Sequence, residues 1–222
     1  LGERAREVGA GVVGGDLSAG EKLVISITAF GYCPGPIVRR DGAQPGDVIA
    51  VSGTLGFSYA GLDLLEGGYV DPSARGPEEL GDLAPFVDTY RAPHPPLGSG
   101  VAAAAAGATA MMDLSDGPAA DARRMAQASG LVIEFDRPAL EAEARLLQVP
   151  AQVCQADPVW WVLQGGEEHG MLASFPPEAV LPEGFRVVGR ARACRDGETP
   201  AAMFDGEVLR GAWDHFDPES VH

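Results

Sequence analysis

The sequence predicts a mixed α/β (α+β) fold, and three observations carry that expectation. Apolar, β-branched runs of strand length recur along the chain and alternate with stretches of helical character. Glycine and proline, 30 and 18 residues respectively, punctuate the junctions between them. At 222 residues, 45% hydrophobic and 22% charged, the chain has a globular composition and enough length to bury a sizeable core.

Taken in order, Leu1 to Val8 reads as the end of a helix, followed by Val12-Val13 and the turn Gly14-Gly15-Asp16. Leu23 to Phe30 is apolar and β-branched throughout, the pattern of a buried strand. Cys33-Pro34-Gly35-Pro36 breaks it and suits a domain linker. After the turn Gln44-Pro45-Gly46-Asp47, a second strand is expected over Val48–Gly53. Tyr59–Glu66 suits a short helix, and Gly67–Pro77 a loop. Leu97–Ala106 is expected to be helical with Gly107 as its cap, leading into a strand over Ala108–Met112. Asp113-Leu114-Ser115-Asp116-Gly117-Pro118 then opens a helix over Ala119–Ser129, where Pro118 fits the first turn because its missing N–H would be unpaired there. Leu131–Phe135 reads as a strand, Arg137–Leu147 as a helix, and Trp160–Leu163 as the end of a further helix at Gly165-Gly166. Met171–Phe175 and Phe185–Gly189 complete the strands. No internal repeat is visible.

Charge and composition exclude several functions. Acidic residues outnumber basic ones 32 to 16, a net charge of −16, so Coulomb repulsion opposes nucleic acid and anionic membranes as partners. The apolar run Val101–Ala106 is too short to span a bilayer. Cys33, Cys154 and Cys194 are odd in number and form no C-x-x-C pair, the usage of reduced thiols in a cytoplasmic protein. Lys22 is the single lysine, and no P-loop motif is present.

Asp113, Ser115 and Asp116 lie where a strand end opens into a helix N-terminus, a place where free amides receive an anion and carboxylates hold a divalent cation. The same residue types equally serve as an ordinary helix N-cap. Gly15 and Asp16 offer a further glycine-flanked acid, or simply a turn. Gly165-Gly166-Glu167 places a carboxylate behind two residues that allow close backbone approach, although a helix C-cap explains those glycines too. Trp213, in Trp213-Asp214-His215-Phe216, suits stacking on a flat cationic ring or a satellite core contact. Arg40 suits a phosphate clamp, as does any arginine beside a turn. His169 and His215 lack the spacing of a metal pair.

In order, Val13-Gly14-Gly15-Asp16, Arg40 to Asp47, Val51-Ser52-Gly53-Thr54-Leu55-Gly56, Met112 to Gly117, Gly165-Gly166-Glu167 and Gly211 to Phe216 resemble the thiamine-monophosphate kinase family. That family sits in the superfamily of aminoimidazole ribonucleotide synthetase and selenophosphate synthetase. The resemblance implies the superfamily's two-domain fold, with residues 1–36 as the end of an N-terminal ATP-binding domain and 37–222 as the C-terminal α/β domain. It implies transfer of the γ-phosphoryl group of ATP to thiamine monophosphate, assisted by several Mg2+ ions, in a cytoplasmic homodimer. It also implies residue roles: Asp16, Asp113 and Asp116 as metal ligands, Gly15, Asp16, Arg40 and Ser115 on ATP, and Glu167 and Trp213 on the thiamine substrate. No side chain is implied as a general base.

The chain departs from the family pattern in places. The family's N-terminal Gly-Asp-Asp-Ala-Ala loop and the elements around it are not in this sequence, which starts without methionine and is expected to be part of a longer protein. Where the family usually continues Asp-Tyr-Glu after the Gly-Gly-Glu loop, Glu168-His169-Gly170 follows. Pro118 replaces a usual leucine and Leu17 a usual threonine. A superfamily enzyme acting on another acceptor, and a catalytically inactive nucleotide- or thiamine-binding protein, are the alternatives.

Overall fold

A computed structural model describes residues 2–33 and 35–210. The chain divides into two units, Leu1–Pro34 and Gly35–His222. In the first, α1 (Gly2–Glu7) is a short helix with no buried residue, carrying an Arg4–Glu7 ion pair of 3.0 Å. The strand expected over Leu23–Phe30 does not form: these residues have no regular secondary structure, and Leu23, Val24, Ile25 and Phe30 are exposed. A β-branched run favours extended backbone, but a strand also needs a ladder partner. Among the described residues of this unit there is no second strand to supply one.

The second unit alternates strands and helices as the sequence led us to expect. In chain order it contains β1 (Val48–Ser52), α2 (Phe57–Glu66), α3 (Gly76–Leu80), α4 (Ala84–Arg91), α5 (Ser99–Ala105), β2 (Ala110–Asp113) and α6 (Pro118–Ser129). There follow β3 (Leu131–Phe135), α7 (Arg137–Ala144), α8 (Gln148–Cys154), α9 (Pro158–Gln164), β4 (Met171–Phe175), β5 (Arg186–Ala193), β6 (Ala201–Phe204) and β7 (Glu207–Val208). Together the strands make one seven-stranded sheet ordered β2-β4-β1-β5-β3-β6-β7. Every neighbouring pair is antiparallel except β3 and β6, which are parallel.

Strand β1 lies third in that order and is buried along its whole length, which explains its unbroken apolar run. Its residues alternate between two cores. Ile49 and Val51 join the larger one with Leu64, Met125, Ile133, Leu140, Leu147 and Trp161, beneath α2, α4 and α6 to α9. Val48 and Ala50 join a smaller one with Ala103, Ala173, Phe175 and Phe185. Fully burying each of the valine, leucine, isoleucine, methionine and phenylalanine side chains among them contributes about 1.5–3 kcal/mol before chain entropy is set against it.

Local signals place most helix ends. Asp136 and Asp157 cap α7 and α9, accepting from the amides of Ala139 at 3.2 Å and Val159 at 2.9 Å, with Pro138 and Pro158 in the first turns. Gly130 closes α6 with φ 70°. Trp161 is 1% exposed, and its indole Nε1 donates to Asp63 Oδ2 at 2.7 Å, fastening α9 to α2. The helix expected over Arg137–Leu147 splits into α7 and a 3-10 turn at Arg145–Leu147, and α8 follows directly. Among the described residues, no helix is long and apolar enough to cross a membrane.

Candidate active site

The sheet register gathers the candidate residues of the second unit. Met171, the first residue of β4, pairs with Ser52 at the end of β1 on one side and with Asp113 at the end of β2 on the other. Because β4 runs antiparallel to both neighbours, three connecting segments emerge at one end of the sheet. They are residues 53–56 after β1, 114–117 after β2, and 165–170 before β4.

Hydrogen bonds and close backbone packing lock these segments together. The amide of Glu167 donates to the Ser115 carbonyl at 3.0 Å, and that of Leu114 to the Gly170 carbonyl at 2.8 Å. A Cβ on Gly166 would stand 2.3 Å from the Ser115 carbonyl oxygen and 2.9 Å from Asp116 Cα, closer than real contacts allow. A Cβ on Gly117 would meet the Gly165 carbonyl oxygen at 2.7 Å, and Gly117 also holds φ 94°. Gly165 does act as the C-cap of α9, its amide donating to the Trp161 carbonyl at 2.8 Å. Cap and close approach therefore coexist in one loop.

The N-cap reading of Ser115 and Asp116 does not hold. The cap of α6 is Gly117, which has no side-chain bond to the helix amides. Instead, fully buried Asp121 in the first turn of α6 accepts from the Asp116 amide at 3.0 Å. Arg124, one turn on, reaches Asp121 Oδ1 at 2.6 Å and Asp116 Oδ2 at 2.5 Å. Burial raises the Asp121 carboxyl above the ordinary range, and the Asp116 amide and Arg124 oppose that rise. Asp121 and Arg124 were not anticipated; the (i, i+3) acid–arginine spacing in the first turn of α6 was the available signal.

Asp113 ends β2 with an exposed carboxylate. His169 lies between it and Glu167: Nδ1 is 3.7 Å from Asp113 Oδ2, and Nε2 is 3.8 Å from Glu167 Oε2. Glu167 and His169 both hold positive φ, 72° and 52°, unusual for residues with side chains. Between them Glu168 turns inward and is 5% exposed. Its Oε1 accepts from the Ser58 amide at 3.0 Å in the first turn of α2. Burial pushes this carboxyl up to about 7, the amides of Ser58 and Phe57 and its own amide hold it down, and Glu167 adds to the rise.

Arg40 lies beside the same strand. With Arg39, Asp41, Met111, Met112 and Ala128 it lines a cavity of about 590 Å³, and its carbonyl accepts from Ser129 Oγ at 3.2 Å. Gly15 and Asp16 belong to the first unit, where Asp16 Oδ2 accepts from Ser18 Oγ at 3.1 Å. Trp213 lies outside the described residues.

Magnesium prefers hard oxygen ligands and is commonly held by one or two carboxylates together with substrate phosphates. Asp113, exposed at the sheet end, has that chemistry. Asp116 has it too, but its carboxylate is engaged by Arg124. Among the described residues, no group of three or more potential ligands forms a ready-made cage. The carboxylates of Asp113 and Asp116 have the chemistry to hold a cation together with phosphate oxygens.

A mixed sheet with acidic, glycine-spaced loops joined at one end defines an α+β domain whose candidate site gathers at the strand termini. The chain belongs to the family of AIR synthase related proteins, matching the C-terminal domain over residues 44–195. It is 42% identical over 202 residues to a thiamine-monophosphate kinase of Mycobacterium tuberculosis, covering 88% of this chain and 57% of that protein. The crystal structure of thiamine monophosphate kinase from Aquifex aeolicus superposes with a TM-score of 0.59 at 30% identity, covering 78% of this chain and 54% of that one. A structure described as AaThiL complexed with AMPPCP and TMP superposes with a TM-score of 0.62 at 29% identity, covering 81% and 54%. The chain thus spans little more than half the length of these relatives.

Proposed function

We propose that this chain is part of a thiamine-monophosphate kinase, which transfers the γ-phosphoryl group of ATP to thiamine monophosphate and yields thiamine diphosphate and ADP. The observation that carries this reading is that segment 165–170 is hydrogen-bonded to segment 114–117 and packed backbone to backbone against segment 53–56 at one end of the sheet, in a chain whose relatives bear that name. An oxygen of the acceptor phosphate forms the new bond to Pγ as the bond from Pγ to the β,γ-bridging oxygen breaks, its electron pair leaving with ADP. The acceptor is an oxyanion at neutral pH, so the protein needs no general base. Its task is to bring two polyanions together and hold them in line.

The chain's residues divide that task. Asp113, Asp116 and Asp16 are the proposed Mg2+ ligands; to serve as one, Asp116 would have to give up its ion pair with Arg124. Bound Mg2+ would supply neutralisation of phosphate charge. Gly15, Asp16, Ser115 and Arg40 are assigned to ATP, with Arg40 offering a planar fork to phosphate oxygens. Glu167 and Trp213 are assigned to the thiamine cation, the carboxylate by charge and the indole by stacking. Residues 1–36 are assigned to the end of an ATP-binding domain and 37–222 to the C-terminal domain, in a cytoplasmic homodimer. Chromatography of thiamine diphosphate formed by the protein expressed from its complete gene, with thiamine monophosphate and Mg-ATP, tests the reading; thiamine serves as the control acceptor. Product from the monophosphate alone is expected, and absence of product from it would overturn the assignment.

A further inference from the structure

Helix α2 begins after Gly56, a residue with no side chain to cap the first turn, and no capping bond is made there by its neighbours' side chains. The missing acceptor arrives from 110 positions along the chain: Glu168, whose buried carboxylate accepts from the Ser58 amide. On either side of it, Glu167 and His169 hold left-handed backbone that ordinary side chains avoid. Such conformations persist where the surroundings over-determine them. The Glu167 amide on Ser115 and the Gly170 carbonyl under Leu114 tie the loop to the 114–117 segment, while Glu168 ties its middle to α2.

We propose that Glu168 is a positioning residue: its inward carboxylate fastens the 165–170 loop to the first turn of α2 and thereby sets where Glu167 presents its own carboxylate outward. The inference rests on the reading of Glu167 as a contact to the thiamine substrate. Burial shows the division of labour: Glu168 is 5% exposed and faces α2, while the side chains of Glu167 and His169, on the two residues of positive φ, lie at the surface. The carboxylate is long enough to bridge loop and helix. Alanine removes the bridge, whereas glutamine preserves an acceptor oxygen at nearly the same place.

Steady-state kinetics and amide hydrogen exchange on the protein from its complete gene test this together. Glu168→Ala should raise KM for thiamine monophosphate at least tenfold and leave KM for Mg-ATP within about threefold. Glu168→Gln should recover most of that loss. The Ser58 and Glu167 amides should lose protection together in the alanine variant and regain it in the glutamine variant. A KM for thiamine monophosphate within twofold of the parent, equal rises in both KM values, or unchanged protection of the two amides would each overturn the proposal. If the parent forms no thiamine diphosphate, the kinase reading falls by itself, and the exchange of Ser58 and Glu167 still decides whether Glu168 holds the loop.

Discussion

Replacing Gly166 by alanine probes the contact on which the site is built. The added Cβ would lie 2.3 Å from the Ser115 carbonyl oxygen and 2.9 Å from Asp116 Cα, both backbone atoms that no rotamer change can move aside. Ordinary contact begins near 3.5 Å, so the two loops must separate by about 1 Å. That shift breaks the Glu167–Ser115 bond, about 1 kcal/mol net, and adds about 1–3 kcal/mol of overpacking. A total near 3 kcal/mol corresponds to a fall in Tm of about 6–12 °C for a domain of this size. A misplacement of about 1 Å between Glu167 and the 114–117 loop should also lower kcat/KM about a hundredfold. Gly98→Ala is the control, because its backbone is already right-handed and nothing stands within 4 Å of the new methyl group. Thermal melts followed by thiamine diphosphate formation measure both effects. A Gly166→Ala protein as stable and as active as Gly98→Ala would refute the claim that close loop packing forms the site.

Three further outcomes follow from the same geometry. Burial raises the Glu168 carboxyl to about 7, so the folded chain retains a proton that the unfolded chain releases, and stability falls as pH rises from about 4.5 to 7. That loss is at most about 3 kcal/mol; Glu168→Gln should flatten the slope, and urea midpoints that run parallel for parent and variant would contradict it. Asp116→Asn removes a charge at nearly constant shape and should lower turnover at least a hundredfold with Tm within a few degrees, whereas unchanged turnover at limiting Mg2+ would remove Asp116 from the metal site. Trp161→Phe deletes the indole donor and leaves the Asp63 carboxylate without it, which should destabilise by about 1–3 kcal/mol; a denaturant midpoint equal to the parent's would show that water or another donor replaces the bond.

The parts of the fold legible in the sequence were those with local causes. Leu131–Phe135 and Met171–Phe175 are strands over the expected residues, because short apolar runs bounded by turn residues or loops leave little choice of register. The β6–β7 hairpin passed unread, although Asp205-Gly206, with φ 53° and 81°, is the two-residue turn that favours such pairs. Helices α3 and α4 also escaped, since proline and glycine around them mimic a loop. At Leu23–Phe30, strand composition predicts a strand, but the described residues of that unit offer no ladder partner. The candidate residues Asp113, Ser115, Asp116 and Glu167 could be picked out one by one from glycine-acid spacing. Their joining could not, because the contacts link loops about 50 residues apart through the register of β4. Glu168 reads only as a departure from the family's usual Asp-Tyr-Glu, and the three-dimensional path of the loop shows that it points inward.

The position of β4 between β1 and β2 also governs when the site comes into being. During synthesis, β1 and β2 emerge long before β4, yet they are not neighbours in the sheet and have no ladder of their own to form. Their trailing loops wait for a strand that arrives only after α6 to α9 have been made, so closing this long contour is a late, slow event. A nascent or clipped chain ending before Met171 can hold helices and part of the core while carrying no trace of the assembled site. The joining of these loops at the sheet end is therefore a report on completed folding, because it exists only once β4 has paired with both neighbours.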